Sequence, residues 1–451
     1  MNSAKQDKYV SCLKKVPEFY RWAKRTDEDV SVRTTSCVLG PAMNVFIMWV
    51  LSQAMDRGQR RLYFLARDGY LMYKTAKLYC EKFGFPIDCI YLSCSRYALR
   101  IPMFHLNMDE ALEYICRGGI DVSLNKILNR AGLDKQQQEE ILALLHLPYG
   151  ADQVIPYAAL SGLRQTLSQC RPFLEYVGSH SKEAMPAILS YMRQEGLADS
   201  GGDDAIVDSG WVGSMQKTLN QLLREAGRKT PLTGYYWGLY ELPEHVNRSD
   251  YDCFYFSPEH GLKDKVWFSN CLFEVIFSAP HGMTMGYRES GGRYVPVYGQ
   301  TADELTAFMQ RTQMQMEDYT KLLLGQLSFP EKETIKQYKK VIRGLIHRFM
   351  GAPSREEAEY YGSLPFSDDV LDESRQETAV LMSEKELKAN HVLNKALVMF
   401  GIKKEYIKES AWYEGSAARS SSHPASHLRW YRMYKYLLYL RKTLTWRKKH
   451  V

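Results

Sequence analysis

The sequence predicts an α/β fold with a parallel sheet, a helical insertion and a mostly helical C-terminal region. Three observations predict it. Short apolar runs of strand length occur at "LYFLA" (62–66), within "IDCIYLSCSRYALRI" (87–101) and at "DAIVDSG" (204–210). The first and third each enter a turn carrying an acid and glycine, followed by residues with helical spacing. That alternation of strand and helix is the pattern of βαβ units, whose strands run parallel.

The elements follow in order. Residues 1–36 form an N-terminal helical segment. Residues 37–104 hold the first part of the α/β core: a helix over 41–57 with Pro41 in its first turn, the 62–66 strand, the Arg67-Asp68-Gly69 turn, a helix over 70–83 ending at Gly84, a second strand, and a basic loop bearing Arg96 and Arg100. Residues 105–200 change to helical spacing throughout and read as an inserted cap. Residues 201–298 resume the core with the 204–210 strand, a helix closed by Gly227, a strand at "LTGYYWGLY", a helix at "VWFSNCLFEVIFSA" and a hairpin around "GGRYVPVY". Residues 299–414 are mostly helical, with a polar, acidic loop over 352–380. Residues 415–451 comprise a linker, "GSAARSSSHPAS", and a basic helix.

Composition narrows the function classes. The 451 residues are 45% hydrophobic and 25% charged, with a net charge of +7, so anionic partners are mildly favoured. Nine scattered cysteines include no Cys-x-x-Cys pair, which argues against a zinc site and for a reducing compartment. The N-terminus is too polar for a secretory signal. The stretch "VLGPAMNVFIMWVLSQAM" is short for a membrane span and interrupted by Gly40, Pro41, Asn44 and Gln53, so it reads as a buried helix. The expectation is a cytoplasmic protein.

Two turns carry the chemistry. In a parallel α/β sheet, ligands bind beyond the carboxyl ends of the strands, where helix N-termini favour phosphate. After the third run, Gly210 and Gly213 allow close backbone approach, and Ser214 can cap the helix and bond a phosphate oxygen. Asp208 would repel phosphate, so it suits sugar hydroxyls or a metal; acid plus phosphate cradle implies a sugar phosphate. The alternative is an aspartate that caps its own turn. At Arg67-Asp68-Gly69, Arg67 suits a phosphate or diphosphate and Asp68 a metal or a proton, against the alternative of a local ion pair. Arg96 and Arg100 either add positive charge beside the same strand ends or are solvated.

The stretches "YFLARDGYL…YLSCSRYAL", "IVDSGWVGSMQ" and "FEVIFSAPHGMTMGY" together resemble a bacterial polysaccharide-biosynthesis family, over about residues 37–290. Its members are often labelled HAD-superfamily hydrolase-like, and the module concerned is similar to a phosphoribosyltransferase. The resemblance implies a phosphoribosyltransferase-like, Rossmann-like sheet. It implies transfer of a (5-phospho)ribofuranosyl group from phosphoribosyl diphosphate (PRPP) to a saccharide hydroxyl in O-antigen or capsule synthesis, with Mg²⁺ bound alongside PRPP. By that likeness Asp208 contacts the ribose hydroxyls, Ser209 to Ser214 (with Gly210, Trp211 and Gly213) cradle the 5-phosphate, and Arg67-Asp68-Gly69 forms the diphosphate loop. General phosphoribosyltransferases carry two adjacent acids at the strand end; here Ser209 occupies the second place.

Such a transfer needs its diphosphate neutralised and the acceptor hydroxyl deprotonated. Arg67 and Arg96 are candidates for the first task; Asp68 and Glu274 for the second. Glu274 sits in an apolar helical run, where an acid is functional or paired with an arginine. His281 is a candidate acceptor contact or a structural residue, and Trp211 a sugar platform or a packing residue. Retention of a 5-phosphate in the product would call for a separate phosphatase. No Asp-x-Asp-x-Thr turn follows any strand, so a HAD-type phosphatase, the alternative, would have Asp68 as its nucleophile; a non-catalytic scaffold of a glycan-assembly complex is the third reading.

In the last helix Arg429, Arg432, Lys435, Arg441, Lys442, Arg447, Lys448 and Lys449 interleave with aromatic and leucine residues, and no acid follows Glu414. That composition predicts a helix on an anionic membrane surface, placing the protein peripherally on the inner membrane near a lipid-linked or oligosaccharide acceptor. The rivals are a helix packed on the body with a basic outer face, and RNA binding, disfavoured because no nucleic-acid motif accompanies the helix.

Overall fold

β1 (Arg61–Leu65), β2 (Asp88–Leu92), β3 (Asp204–Trp211), β4 (Thr233–Leu239) and β5 (Tyr251–Phe256) form one sheet, all strands parallel, in the order β2-β1-β3-β4-β5. The computed structural model describes residues 2–23, 29–119, 122–199, 201–367, 376–399 and 407–450. Alternation along the strands sends Leu62, Phe64, Ala205 and Val207 to one face and Tyr63, Leu65 and Ile206 to the other. Both faces are buried, which is why the strands read as near-continuous apolar runs.

The helices Gly40–Asp56, Gly69–Phe83, Asn270–Phe277, Asp303–Leu324 and Lys332–Phe349 cover the first face. The second is covered by Ser214–Glu225, through Leu219, Leu222 and Leu223, and by the later half of Arg171–Gln194, through Ile188, Tyr191 and Met192. The apolar stretch read as a buried helix is one: the run Val30–Asp56 is long and apolar enough to cross a membrane, and 89% of its most apolar window is buried. At the amino end of β3, Arg228 makes a two-pronged ion pair with Asp204 (2.7 and 2.6 Å), both side chains at most 1% exposed.

Several elements differ from the sequence expectation. The basic loop after β2 is a short helix, Arg96–Arg100, because the Ser95 hydroxyl accepts the Ala98 N–H at 3.0 Å and caps it. The helix expected across "VWFSNCLFEVIFSA" is two helices, Leu262–Trp267 and Asn270–Phe277, parted by extended Phe268 and restarted by the Ser269 cap. β5 escaped the reading, its "YDCFYF" mixing an acid into an edge strand. The inserted helices share a core drawn from residues 101–177, but the Arg171–Gln194 helix continues out of it onto the sheet. The region 352–380 contains a capped helix, Arg355–Gly362; residues 368–375 lie outside the described residues. The linker is instead a helix, Tyr413–Ser420, with Gly415 to Ala418 buried. Small residues suggest a linker by composition, yet here they permit close packing: a Cβ on Gly415 would lie 2.4 Å from the Trp412 ring. The hairpin is present as β6 (Thr284–Ser290) and β7 (Arg293–Tyr298), with Gly291 and Gly292 both at positive φ in its two-residue turn.

Candidate functional site

In this strand order the chain leaves β1 toward β2 on one side and reaches β3 on the other, so a crevice opens between the carboxyl ends of β1 and β3. Asp68 follows β1; Asp208 and Ser209 end β3. Alternation turns Asp208 toward the second face and Ser209 toward the first. The Ser209 hydroxyl donates to Asp68 Oδ2 at 2.5 Å. Asp68 occupies the N-cap position of the Gly69–Phe83 helix, but its side chain makes no capping bond there. The Ser214–Glu225 helix is equally uncapped: Gly213 holds the N-cap position at φ 68°, and Ser214 already lies in the first turn. Ser214 is therefore not the cap the sequence suggested; Asp208 caps no helix, but its carboxyl accepts the Ser209 backbone N–H within its own turn. Two helix N-termini without side-chain caps thus flank the crevice, a pair of places where an anion would find backbone N–H groups.

The glycines are required by geometry. Gly210 has φ 108°, and a Cβ there would lie 2.5 Å from the Gly238 carbonyl oxygen. A Cβ on Gly213 would lie 2.9 Å from both Leu242 and Tyr251. Between them Trp211 itself adopts φ 69°, a conformation costly for a large side chain. Its surroundings hold it: the indole N–H donates to Glu274 Oε1 at 2.6 Å, and the ring packs on Phe268 and Phe273 with centroids 5.3 and 5.5 Å apart. The ring thus packs, and it orients Glu274.

Asp68, Asp208 and Glu274 form one electrostatic unit. Burial first, and then the charge of Asp68, push Asp208 up to about 8 and Glu274 up to about 7. Burial raises Asp68 too, opposed by the Ser209 hydroxyl and by Arg67 and Arg96. Arg96 opposes the rise at all three acids from an exposed position at the start of its helix. Glu274 is held by the indole, and among the described residues it forms no arginine ion pair.

The remaining sequence candidates are placed as follows. Gly69 presses the turn against β1, a Cβ there lying 3.0 Å from the Phe64 carbonyl carbon. Arg100 is not brought to the acids: its guanidinium lies 4.1 Å from the Tyr114 ring centroid, against the inserted helices. His281 has both ring nitrogens engaged, Nε2 with the Tyr91 hydroxyl and Nδ1 with the Gly282 carbonyl, each at 2.8 Å. Burial lowers its pKa. Beside Glu274 lies a cleft that sequence reading missed, lined by Arg67, Glu274, Ser278, Thr301 and Phe366. Among the described residues the buried Thr301 hydroxyl has no hydrogen-bond partner. No motif signals Ser278 or Thr301; only the fold brings them beside Arg67.

Among the described residues no three acidic, histidine or cysteine side chains are arranged to hold a metal ion. Compared with known proteins, the chain matches no family model and no curated protein sequence, so the chemistry of this crevice is what speaks to its function.

Proposed function

We propose that the protein has a phosphoribosyltransferase-like core and transfers a (5-phospho)ribofuranosyl group from PRPP to a saccharide hydroxyl. One observation carries the reading: two helix N-termini without side-chain caps open on a crevice that also holds the acids Asp68 and Asp208. A ligand suited to that layout carries anionic groups at both ends and hydroxyls between them, as PRPP does. The 5-phosphate is assigned to the Gly210–Ser214 turn, the ribose hydroxyls to Asp208, and the diphosphate to Arg67, Arg96 and the amides after Asp68. Mg²⁺ enters this scheme as part of the diphosphate substrate, the described side chains offering no three-ligand metal site of their own.

In the transfer, the bond from ribose C1 to the diphosphate oxygen breaks and its electron pair leaves with diphosphate. The acceptor oxygen bonds C1 and its proton passes to a base. Glu274 suits that role, since a carboxyl held near 7 is poised to accept a proton at neutral pH, and it borders the Thr301 cleft. Displacement from the face opposite an α-linked diphosphate gives a β-ribofuranoside that keeps its 5-phosphate, so a separate phosphatase acts next. An aspartyl-phosphate mechanism is less well served, because the Asp68 carboxylate is engaged by Ser209.

The test is a PRPP titration with and without Mg²⁺ on wild type and Asp208→Ala, followed by diphosphate release with saccharide acceptors. Saturable binding lost in the variant supports the reading. Absence of PRPP binding by folded protein overturns it, as does metal-dependent hydrolysis of a phosphate monoester abolished by Asp68→Ala.

A further inference from the structure

The helix Pro424–His450 is basic on every side in sequence, but the fold divides its charges. Facing inward, Lys435 pairs with buried Glu414 at 3.0 Å and Arg432 lies 3.8 Å over the Trp267 ring; half-exposed Lys442 pairs with half-exposed Glu241 at 3.4 Å. Tyr439 stacks on Tyr240, centroids 4.9 Å apart, at the carboxyl end of β4. Facing outward, Trp430, Met433, Leu437 and Leu444 are 41%, 46%, 51% and 49% exposed and fall on one stripe of the helix. Exposed Arg429, Arg441, Arg447 and Lys448 flank that stripe. The Lys449 side chain lies outside the described residues. A second helix, Val392–Met399, lies against its edge: the His391 ring is 6.3 Å from that of Trp430, and Leu393 and Leu397 are 68% and 37% exposed.

We infer that these two helices form one docking face for an anionic phospholipid bilayer. A leucine and tryptophan stripe bordered by cations, with no acid in the longer helix, complements acyl chains below and anionic headgroups around it. A second copy of the chain fits less well: the exposed cations of the longer helix outnumber the acids Glu241 and Glu409 at the edges of the face, and those acids already pair with Lys442 and Lys395. RNA fits less well, since Met433, Leu437, Leu444, Leu393 and Leu397 make up most of the exposed apolar face and offer bases nothing to stack on, against Trp430 and Tyr436 alone. The helix is clamped to the body through Tyr240, which lies 6.2 Å from Trp211, so the bilayer would meet the protein at the end of the sheet that carries the acids. The surface stands without the transferase reading, and PRPP binding reports on that reading separately.

Flotation of the full chain with vesicles tests it, using phosphatidylcholine alone and phosphatidylcholine with about one-third phosphatidylglycerol. Binding to the anionic vesicles that is reversed by high salt is expected. Arg429→Gln with Lys448→Gln should weaken it about 25-fold, at roughly fivefold per charge, and Leu437→Ser with Leu444→Ser at least about tenfold. All four positions are exposed, so melting temperature and PRPP affinity should stay unchanged, which separates lost docking from unfolding. Equal binding to both vesicle types, unchanged binding by either double variant, dimerisation abolished by the leucine variant, or RNA binding abolished by the charge variant would each overturn the inference.

Discussion

The Ser209 hydroxyl donates to Asp68 Oδ2 at 2.5 Å, tying the end of β3 to the turn after β1 across 141 positions of chain. Removing it leaves the Asp68 carboxyl without that donor. Ser209→Ala should cost about 1–3 kcal/mol in urea unfolding and raise the Asp68 pKa further, because this hydrogen bond favours the charged form.

The raised acids set a pH dependence of stability. Asp208, at about 8, and Glu274, at about 7, hold protons more tightly folded than unfolded, where such groups titrate near 4. Their contribution is fully present below pH about 4 and is lost as pH rises through about 7 to 8. The ligand-free protein should therefore melt at a higher temperature at pH 6 than at pH 8.5. Asp208→Asn should flatten that slope and raise the midpoint at pH 8.5 by about 4 °C.

The same groups should register substrate. Even with Mg²⁺, PRPP is a net anion and favours the protonated carboxyls, so binding at pH 8 should take up about one proton. Calorimetry in two buffers of different ionisation enthalpy would read it, and Asp208→Asn should abolish most of the uptake.

Trp211→Phe keeps the ring and removes the N–H to Glu274. Since that bond lowers the Glu274 pKa, its loss should raise it by about one unit, read by carboxyl titration in NMR. An unchanged titration would mean that the indole does not tune Glu274.

Backbone constraint is the last prediction. Gly210→Ala combines φ 108° with a Cβ 2.5 Å from a backbone oxygen, and should destabilise by about 3 kcal/mol, whereas Gly162→Ala, exposed in a helix with open space around it, should stabilise by about 0.5–1 kcal/mol.

Much of the site was legible as isolated turns. The acids after β1 and at the end of β3, the glycines and the following helices are local features, governed by strand length, helical period and turn conformation. The hairpin was legible for the same reason. Glu274 stood out because an ionisable group in an apolar helix is functional or paired, and the structure gives it the Trp211 indole as a hydrogen-bond partner. Arg100 was misplaced because a basic residue near a strand end carries no sign of its direction; the Tyr114 ring drew it toward the inserted helices.

By itself the sequence determined the parallel α/β class and which turns carry acids, since both depend on interactions within a few residues. Tertiary structure decided that Asp68, Asp208 and Glu274 act on one another's protons, that Ser209 bridges two of the turns, and which cations of the last helix face outward. Those outcomes depend on strand order and on contacts between residues tens to hundreds of positions apart, which local periodicity does not encode.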